Sequence, residues 1–280
     1  MDLWFTEKHK LGFGLTCSVK RTLVNERTPY QTLTVLDTCA FGNMLLLDGV
    51  VQTTVFDEFV YHEMIAHPAL CTHPEPKRAL VVGGGDGGTV REVLRHPSVE
   101  SVELCEIDRR VVEVCTEHLK ETSCGLTDPR VTVVYEDGIE YVKRFKAKYH
   151  CVIVDSPDPV GPATGLFAAD FYRGVHESLT DDGVFATQTE SPFTDGDLIR
   201  KVTRDVAAVF PICGFYTACV PTYPTGLWSF MIGSKRYHPV RNARRSEALS
   251  DCRYYTYDLH RAMFAAVPKL ARDLLPESFI

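Results

Sequence analysis

From Lys77 onward the chain alternates short apolar runs with helical stretches, and this alternation constrains the fold more than any other feature. The runs at 79–82, 102–107, 131–135, 151–154 and 184–187 read as strands. Stretches near 90–94, 110–119, 139–145, 171–179 and 197–210 read as the helices between or after them. Strands that alternate with helices form a mainly parallel, doubly wound α/β sheet covered on both faces. Two further runs, 215–220 and 228–232, flank a proline- and glycine-bearing turn and suggest a hairpin-like pair at the end of the series.

The first third differs. Runs at 15–24, 31–37 and 44–54 are β-rich and broken by turn signals, as in a small antiparallel sheet. A helical stretch at 56–70 follows, ended by the prolines at 74 and 76. We therefore divide the chain into an N-terminal β domain at 1–55 and an α/β domain at 56–280, a length that can bury a full core. The net charge of -7 without a basic stripe argues against nucleic acid. None of the 10 cysteines forms a CxxC pair, and several sit in apolar runs, so they read as buried reduced thiols. The N-terminal segment has no apolar signal core, and no run approaches the roughly 20 apolar residues that span a bilayer. The expectation is a cytoplasmic protein without membrane partners.

Ligands of doubly wound sheets bind at the carboxyl ends of the strands, so the residues there matter most. The first strand runs into GGGDGG (83–88), the second ends at Glu106 and Asp108, and the third at Glu136-Asp137-Gly138. The fourth ends at Asp155-Ser-Pro-Asp158 and the fifth at Gln188-Thr-Glu190. Every strand end carries carboxylates, with a single basic residue, Arg109, close behind.

A glycine-rich turn entering a helix lets a ligand approach the backbone, and Glu106, about 20 residues on, suits a ribose hydroxyl. Asp108 has a plainer role as cap of the helix beginning near Arg110. Asp86 is the unusual residue. A pyrophosphate, or the carboxylate of ordinary S-adenosylmethionine, would be repelled by it, whereas an amine-tipped adenosyl ligand would be attracted. Asp155 and Asp158 lie on a turn beside this loop. An alkyl ammonium has a pKa near about 10, so its attack on carbon needs a carboxylate to take one proton. Tyr61, Tyr223, Trp228 and Trp4 could wall the methylenes of such an amine, although each could equally be core. His62 and His67 resemble a zinc helix, but five residues apart they diverge by about 140°. No metal is expected.

Taken together, these residues resemble the spermidine synthase family. The similar segments are GNMLLLDG (42–49), DEFVYHEM (57–64), VGGGDGG (82–88), EID (106–108), DG (137–138), DSPDPVGPA (155–163) and PTYPTG (221–226), in the family's order. The resemblance implies a Rossmann-like, methyltransferase-type sheet with a small N-terminal antiparallel β domain, and a homodimer or homotetramer. It implies transfer of the aminopropyl group of decarboxylated S-adenosylmethionine, a co-substrate rather than a cofactor, to putrescine, giving spermidine and methylthioadenosine. Carried over by position, Gln31, His62, Asp86, Glu106, Asp137, Gly138 and Pro162 would contact the donor. Asp155 would accept the proton, and Tyr61, Asp158 and Tyr223 would line the amine site, with Glu190 and Trp228 nearby. Pro157 departs from the pattern, standing where Ser, Thr or Cys is usual, and stiffens that turn.

Two other readings share the scaffold. One is an aminopropyltransferase acting on agmatine, cadaverine or a longer polyamine. The other is a putrescine N-methyltransferase using the ordinary donor, which the charge of Asp86 disfavours. A binding scaffold without catalysis is opposed by the presence of both Asp155 and Asp158.

Overall fold

The computed structural model describes residues 3–159 and 161–279. Two sheets organise it. The first is antiparallel and sequential: β1 (Leu3–Lys8), β2 (Gly14–Arg27), β3 (Thr32–Thr38), β4 (Asn43–Leu47) and β5 (Val50–Thr54). The expected third run is split into β4 and β5 at Asp48 and Gly49, whose φ values of 50° and 83° make the reversal. β1 was not foreseen from the sequence. It lies at the sheet edge with only Glu7 fully buried, so it carries no alternating pattern to read.

The second sheet holds β6 (Arg78–Gly83), β7 (Ser101–Cys105), β8 (Val131–Val134), β9 (Tyr149–Asp155), β10 (Leu179–Gln188), β11 (Ile212–Cys219) and β12 (Leu227–Ser234). Its order is β11-β12-β10-β9-β6-β7-β8. The strands from β8 to β10 are parallel, and β12 inserts antiparallel between β10 and β11. The architecture is thus the expected Rossmann-like α/β sheet beside a small antiparallel one. The chain winds outward from β6 to β8 and then returns to β9 on the other side of β6. That reversal is the topological switch point, where such sheets bind ligands.

Helix α1 (Glu58–Thr72) is buried at 14 of its 15 positions, including Glu58, His62, Glu63 and His67. It packs between the sheet and helix α2 (Gly88–Leu94), within an apolar cluster that includes Met64, Ile65, Val81, Ile153 and Phe230. A second cluster, with Val82, Val152, Phe171, Tyr172 and Phe185, fills the opposite face. The sheets meet through Leu33, Val35 and Leu45, which pack on Val111, Val114 and Cys115 of helix α3 (Arg109–His118).

Six cysteines are buried free thiols, as expected, but Cys39, Cys124 and Cys219 are exposed and Cys252 is half-buried. Those four lie in a bend, at the start of a 3-10 helix, at a strand end and in the C-terminal segment.

Glu63 explains how the C-terminal segment is held. Its buried carboxylate accepts the amides of Arg253, Tyr254 and Tyr255 at 2.9, 2.8 and 2.7 Å. These bonds lead the chain into a short helix, Tyr257–Met263, capped by the Thr256 hydroxyl. Removing the acceptor strands three amides in a largely enclosed place. Glu63→Ala should lower the free energy of unfolding by about 2–4 kcal/mol. Glu63→Gln, which keeps one accepting oxygen, should cost less; urea denaturation checks both, and equal losses would contradict this account.

Candidate active site

The site begins with a register. Gly83 of β6 pairs with Asp155 of β9, so the glycine turn and the fourth strand end lie side by side. Gly84 takes φ 68°, and a Cβ there would stand 2.5 Å from the Asp155 carboxylate oxygen. Only glycine allows both the left-handed turn and that approach. Asp155 is buried, and the Thr89 hydroxyl donates to its Oδ2 at 2.7 Å. The Tyr61 hydroxyl is a second partner. Burial, and then the like charge of Asp86, raise the Asp155 carboxyl above its ordinary value.

Asp86 stands at the start of α2, where its Oδ1 accepts the Gly88 amide at 2.7 Å. The negative end of a carboxylate is favourable at a helix N-terminus. His62 Nε2 lies 3.3 Å from the same oxygen. His62, Asp86 and Asp155 each bring a ligand-type atom within 4.8 Å of the others. Burial works against the Asp86 charge, but His62 and the Gly88 amide outweigh it and hold the carboxyl below its ordinary value. Two carboxylates this close make a strong site for a cationic group.

These groups line a cleft of about 270 Å³ at the switch point. Gln31, Tyr61, His62, Asp86, Glu106, Asp137, Gly138, Asp155, Asp158 and Tyr223 all face it, so most of the expected donor and acceptor residues converge. Glu106 is buried, and burial pushes its carboxyl up to about 7 while it accepts the Asp108 amide at 2.9 Å. Asp108 caps α3 through the Arg110 amide at 3.0 Å, as expected. It also accepts from Thr28 and Gln31, at 2.7 and 3.0 Å, which ties the first sheet to the cleft. Asp137 is exposed at the cleft and caps the helix Gly138–Val142 through the Ile139 amide at 2.8 Å.

A side cavity of about 30 Å³ opens off the cleft between Tyr61, Asp158, Tyr223 and Trp228. Tyr223 stacks edge-on to Trp228 at 4.7 Å between centroids and donates its hydroxyl to the Gln52 carbonyl at 2.6 Å. The Ser156 hydroxyl is buried there without a partner among the described residues. Pro157 lines both spaces. Glu190 does not reach either lining; it is buried behind Gln188, whose amide donates to it at 2.9 Å and which itself faces the side cavity. The side chain of Pro162 lies outside the described residues. Trp4 is 63% exposed on β1 and lines neither space, so it is no wall of this site.

The sequence reading missed one wall altogether. Tyr30, Leu45, Leu47, Asp48, Val50 and Gln52, from the first sheet, close the cleft opposite the glycine turn. Their signal was the turn at Asp48–Gly49, which projects the β4–β5 hairpin but does not reveal where it lands. His62 and His67, five residues apart, do enter separate networks. His62 meets Glu58 and Asp86, whereas His67 meets Glu92, His96 and Cys252.

Residues 58–243 match the spermine/spermidine synthase domain, and residues 3–55 match the spermidine synthase tetramerisation domain. The polyamine aminopropyltransferase of Desulforudis audaxviator is 52% identical over 273 residues, covering 98% of this chain and 99% of that protein. The polyamine aminopropyltransferase of Moorella thermoacetica is 52% identical over 266 residues, covering 95% and 94%. Among solved structures, a spermidine synthase in complex with the transition state analogue AdoDATO superposes with a TM-score of 0.95 at 38% identity, covering 98% of this chain and 94% of that one. The spermidine synthase of Thermotoga maritima gives 0.92 at 38% identity, with the same coverage.

The glycine turn permits a direct test of its packing. Gly49 has positive φ with open space around the missing Cβ, whereas Gly84 has positive φ and meets Asp155. Gly49→Ala should cost about 1–2 kcal/mol, the price of the left-handed backbone alone. Gly84→Ala should cost about 1–3 kcal/mol more and lower activity as Asp155 is displaced. Equal denaturation midpoints for the two variants would contradict the close approach.

Proposed function

The chain belongs to the spermine/spermidine synthase family and is an aminopropyltransferase, and on that premise we propose that it makes spermidine from putrescine and decarboxylated S-adenosylmethionine. The observation that carries the reading is the meeting of Asp86 and Asp155 at the switch point, beside a narrow aromatic side cavity. The donor would lie in the larger cleft with its ribose on Glu106, its adenine near Asp137 and Gly138, and its terminal ammonium on Asp86. Gln31 and His62 would flank it.

The acceptor would enter the side cavity. Tyr61, Tyr223 and Trp228 supply apolar faces for its methylenes and π-faces for its charged ends. Asp158 and Ser156 offer oxygens to the ammonium groups, and Glu190 adds negative charge from behind Gln188. The cavity is small, which favours a slender unbranched diamine such as putrescine over agmatine, with its broad guanidinium.

Asp155 takes one proton from the reacting amine. The freed lone pair attacks the methylene carbon bound to the sulfonium, the new C–N bond forms as the C–S bond breaks, and sulfur keeps the electron pair as methylthioadenosine leaves. A base with a raised pKa holds that proton more firmly than an ordinary carboxylate would, and approach of the cationic donor keeps it ionised beforehand. The tyrosine hydroxyls of Tyr61 and Tyr223 stay protonated, because burial and then Asp155 push them well above their ordinary value. No metal or separate cofactor enters this scheme. A homo-oligomer in the cytoplasm completes the proposal. The match of residues 3–55 to a tetramerisation domain supports the first point. No helix among the described residues is long and apolar enough to cross a membrane, which is compatible with the second.

Asp155→Asn should lower kcat by at least about a hundredfold while donor binding persists; near-normal turnover would refute its role as base. Mass analysis of products from a panel of amines should show spermidine from putrescine as the dominant product. Preference for cadaverine, agmatine or spermidine would redirect the acceptor, and methylated putrescine from ordinary S-adenosylmethionine would sink the reaction itself.

A further inference from the structure

Asp86 is the visible end of a longer buried chain of charges. His62 Nε2 is 3.3 Å from Asp86 Oδ1, and His62 Nδ1 is 2.6 Å from Glu58 Oε2. Both Nη atoms of Arg91 donate to the Glu58 carboxylate at 2.9 Å. Arg91 is fixed in turn by Glu92 Oε1 at 2.7 Å and the Glu121 carbonyl at 2.6 Å. The His62 side chain is 2% exposed and Glu58 is 5% exposed, so water screens neither.

The hydrogen-bond roles follow from these partners. A carboxylate that already receives two guanidinium bonds can only accept, so His62 Nδ1 carries a hydrogen. Nε2 stands 3.3 Å from the Asp86 oxygen that receives the Gly88 amide, and a hydrogen on it makes that contact an ion pair rather than a repulsion between lone pairs. A ring with both hydrogens is an imidazolium. It packs so tightly on the start of α2 that a Cβ on Gly88 would fall 2.2 Å from the ring.

We propose that Glu58, locked by Arg91, is a positioning residue for aminopropyl transfer: it holds His62 as an imidazolium whose second N–H fixes the Asp86 carboxylate at the donor's amine. This rests on the assignment of Asp86 to the donor. The groups facing His62 are Glu58 and Tyr61 from its own helix, Asp86 from the glycine turn and Asp155 from the end of β9, while Arg91 of α2 reaches Glu58. Burial alone would lower the His62 pKa, but Asp86 and then Glu58 outweigh it and hold it well above the ordinary value. The imidazolium in turn helps hold Asp86 below its ordinary value and opposes the burial and the Asp86 charge that raise Asp155.

Glu58→Gln separates charge from geometry. A glutamine amide can donate to an unprotonated Nδ1, leaving Nε2–H towards Asp86, so that contact survives and the cation is lost, at the cost of the Arg91 bond to the same Glu58 oxygen. Asp86 and Asp155 then become harder to ionise. The acid limb of kcat/KM for the decarboxylated donor should move up by about one pH unit, giving about tenfold lower values on its acid side and near-wild-type values at high pH. A parallel drop at every pH, or no change, would overturn the proposal. Should that variant fail to fold, histidine-labelled NMR of the intact enzyme decides. With His62 identified by His62→Asn, its ring should stay doubly protonated well above the pH at which a free imidazole loses its proton, and a ring that is neutral there would overturn the proposal. Failure of the wild type to release methylthioadenosine from the decarboxylated donor would instead strike the aminopropyl-transfer reading.

Discussion

Everything at the active site depends on one parallel pairing, that of β6 with β9. By placing Gly83 opposite Asp155, it sets the glycine turn against the fourth strand end with no room for a side chain between them. A slip of one residue would turn Asp155 to the other face of the sheet. It would also bring the turn against Val154, an apolar side chain with no charge. The apolar clusters on both faces make such a slip expensive, so the packing of residues far from the cleft maintains the position of one carboxylate.

A site with carboxylates at every strand end has to survive its own repulsion. Three devices do this here. Glu106 is pushed up to about 7 by burial, which disfavours its charged form. Asp86 draws on the helix start and on His62, and Asp155 on the Thr89 and Tyr61 hydroxyls. What remains is an excess of negative potential inside a low-dielectric cleft, which favours a ligand that bears positive charge.

Much of this was legible in the sequence for a simple reason. Strand ends, glycine turns and helix caps are local features, and Asp108 capping α3 could be read from its place before Arg110. What escaped was non-local. α1 is buried nearly all round, so its apolar residues show no favoured face and its buried charges look like surface ones. Glu58 and Arg91 are 33 residues apart, and nothing near either one announces the other. The wall contributed by the β4–β5 hairpin depends on how two sheets dock, which short-range patterning does not encode. Trp4 shows the converse: an aromatic residue in a suggestive segment, yet exposed at the edge. Gln188 shows a near miss, since it fronts the side cavity that Glu190 was expected to line.

The hairpin wall gives the molecule a further property. The first sheet touches the second through the Leu33–Cys115 cluster, through Thr28 and Gln31 on Asp108, and through the Tyr223 hydroxyl on Gln52. The cleft lies along that same seam. A ligand there bridges two bodies rather than filling a hole in one, so its binding free energy adds to their cohesion. Occupancy and docking of the sheets are therefore thermodynamically linked. The enzyme at work, with its cleft continually refilled, is a more tightly clasped object than the same chain standing empty.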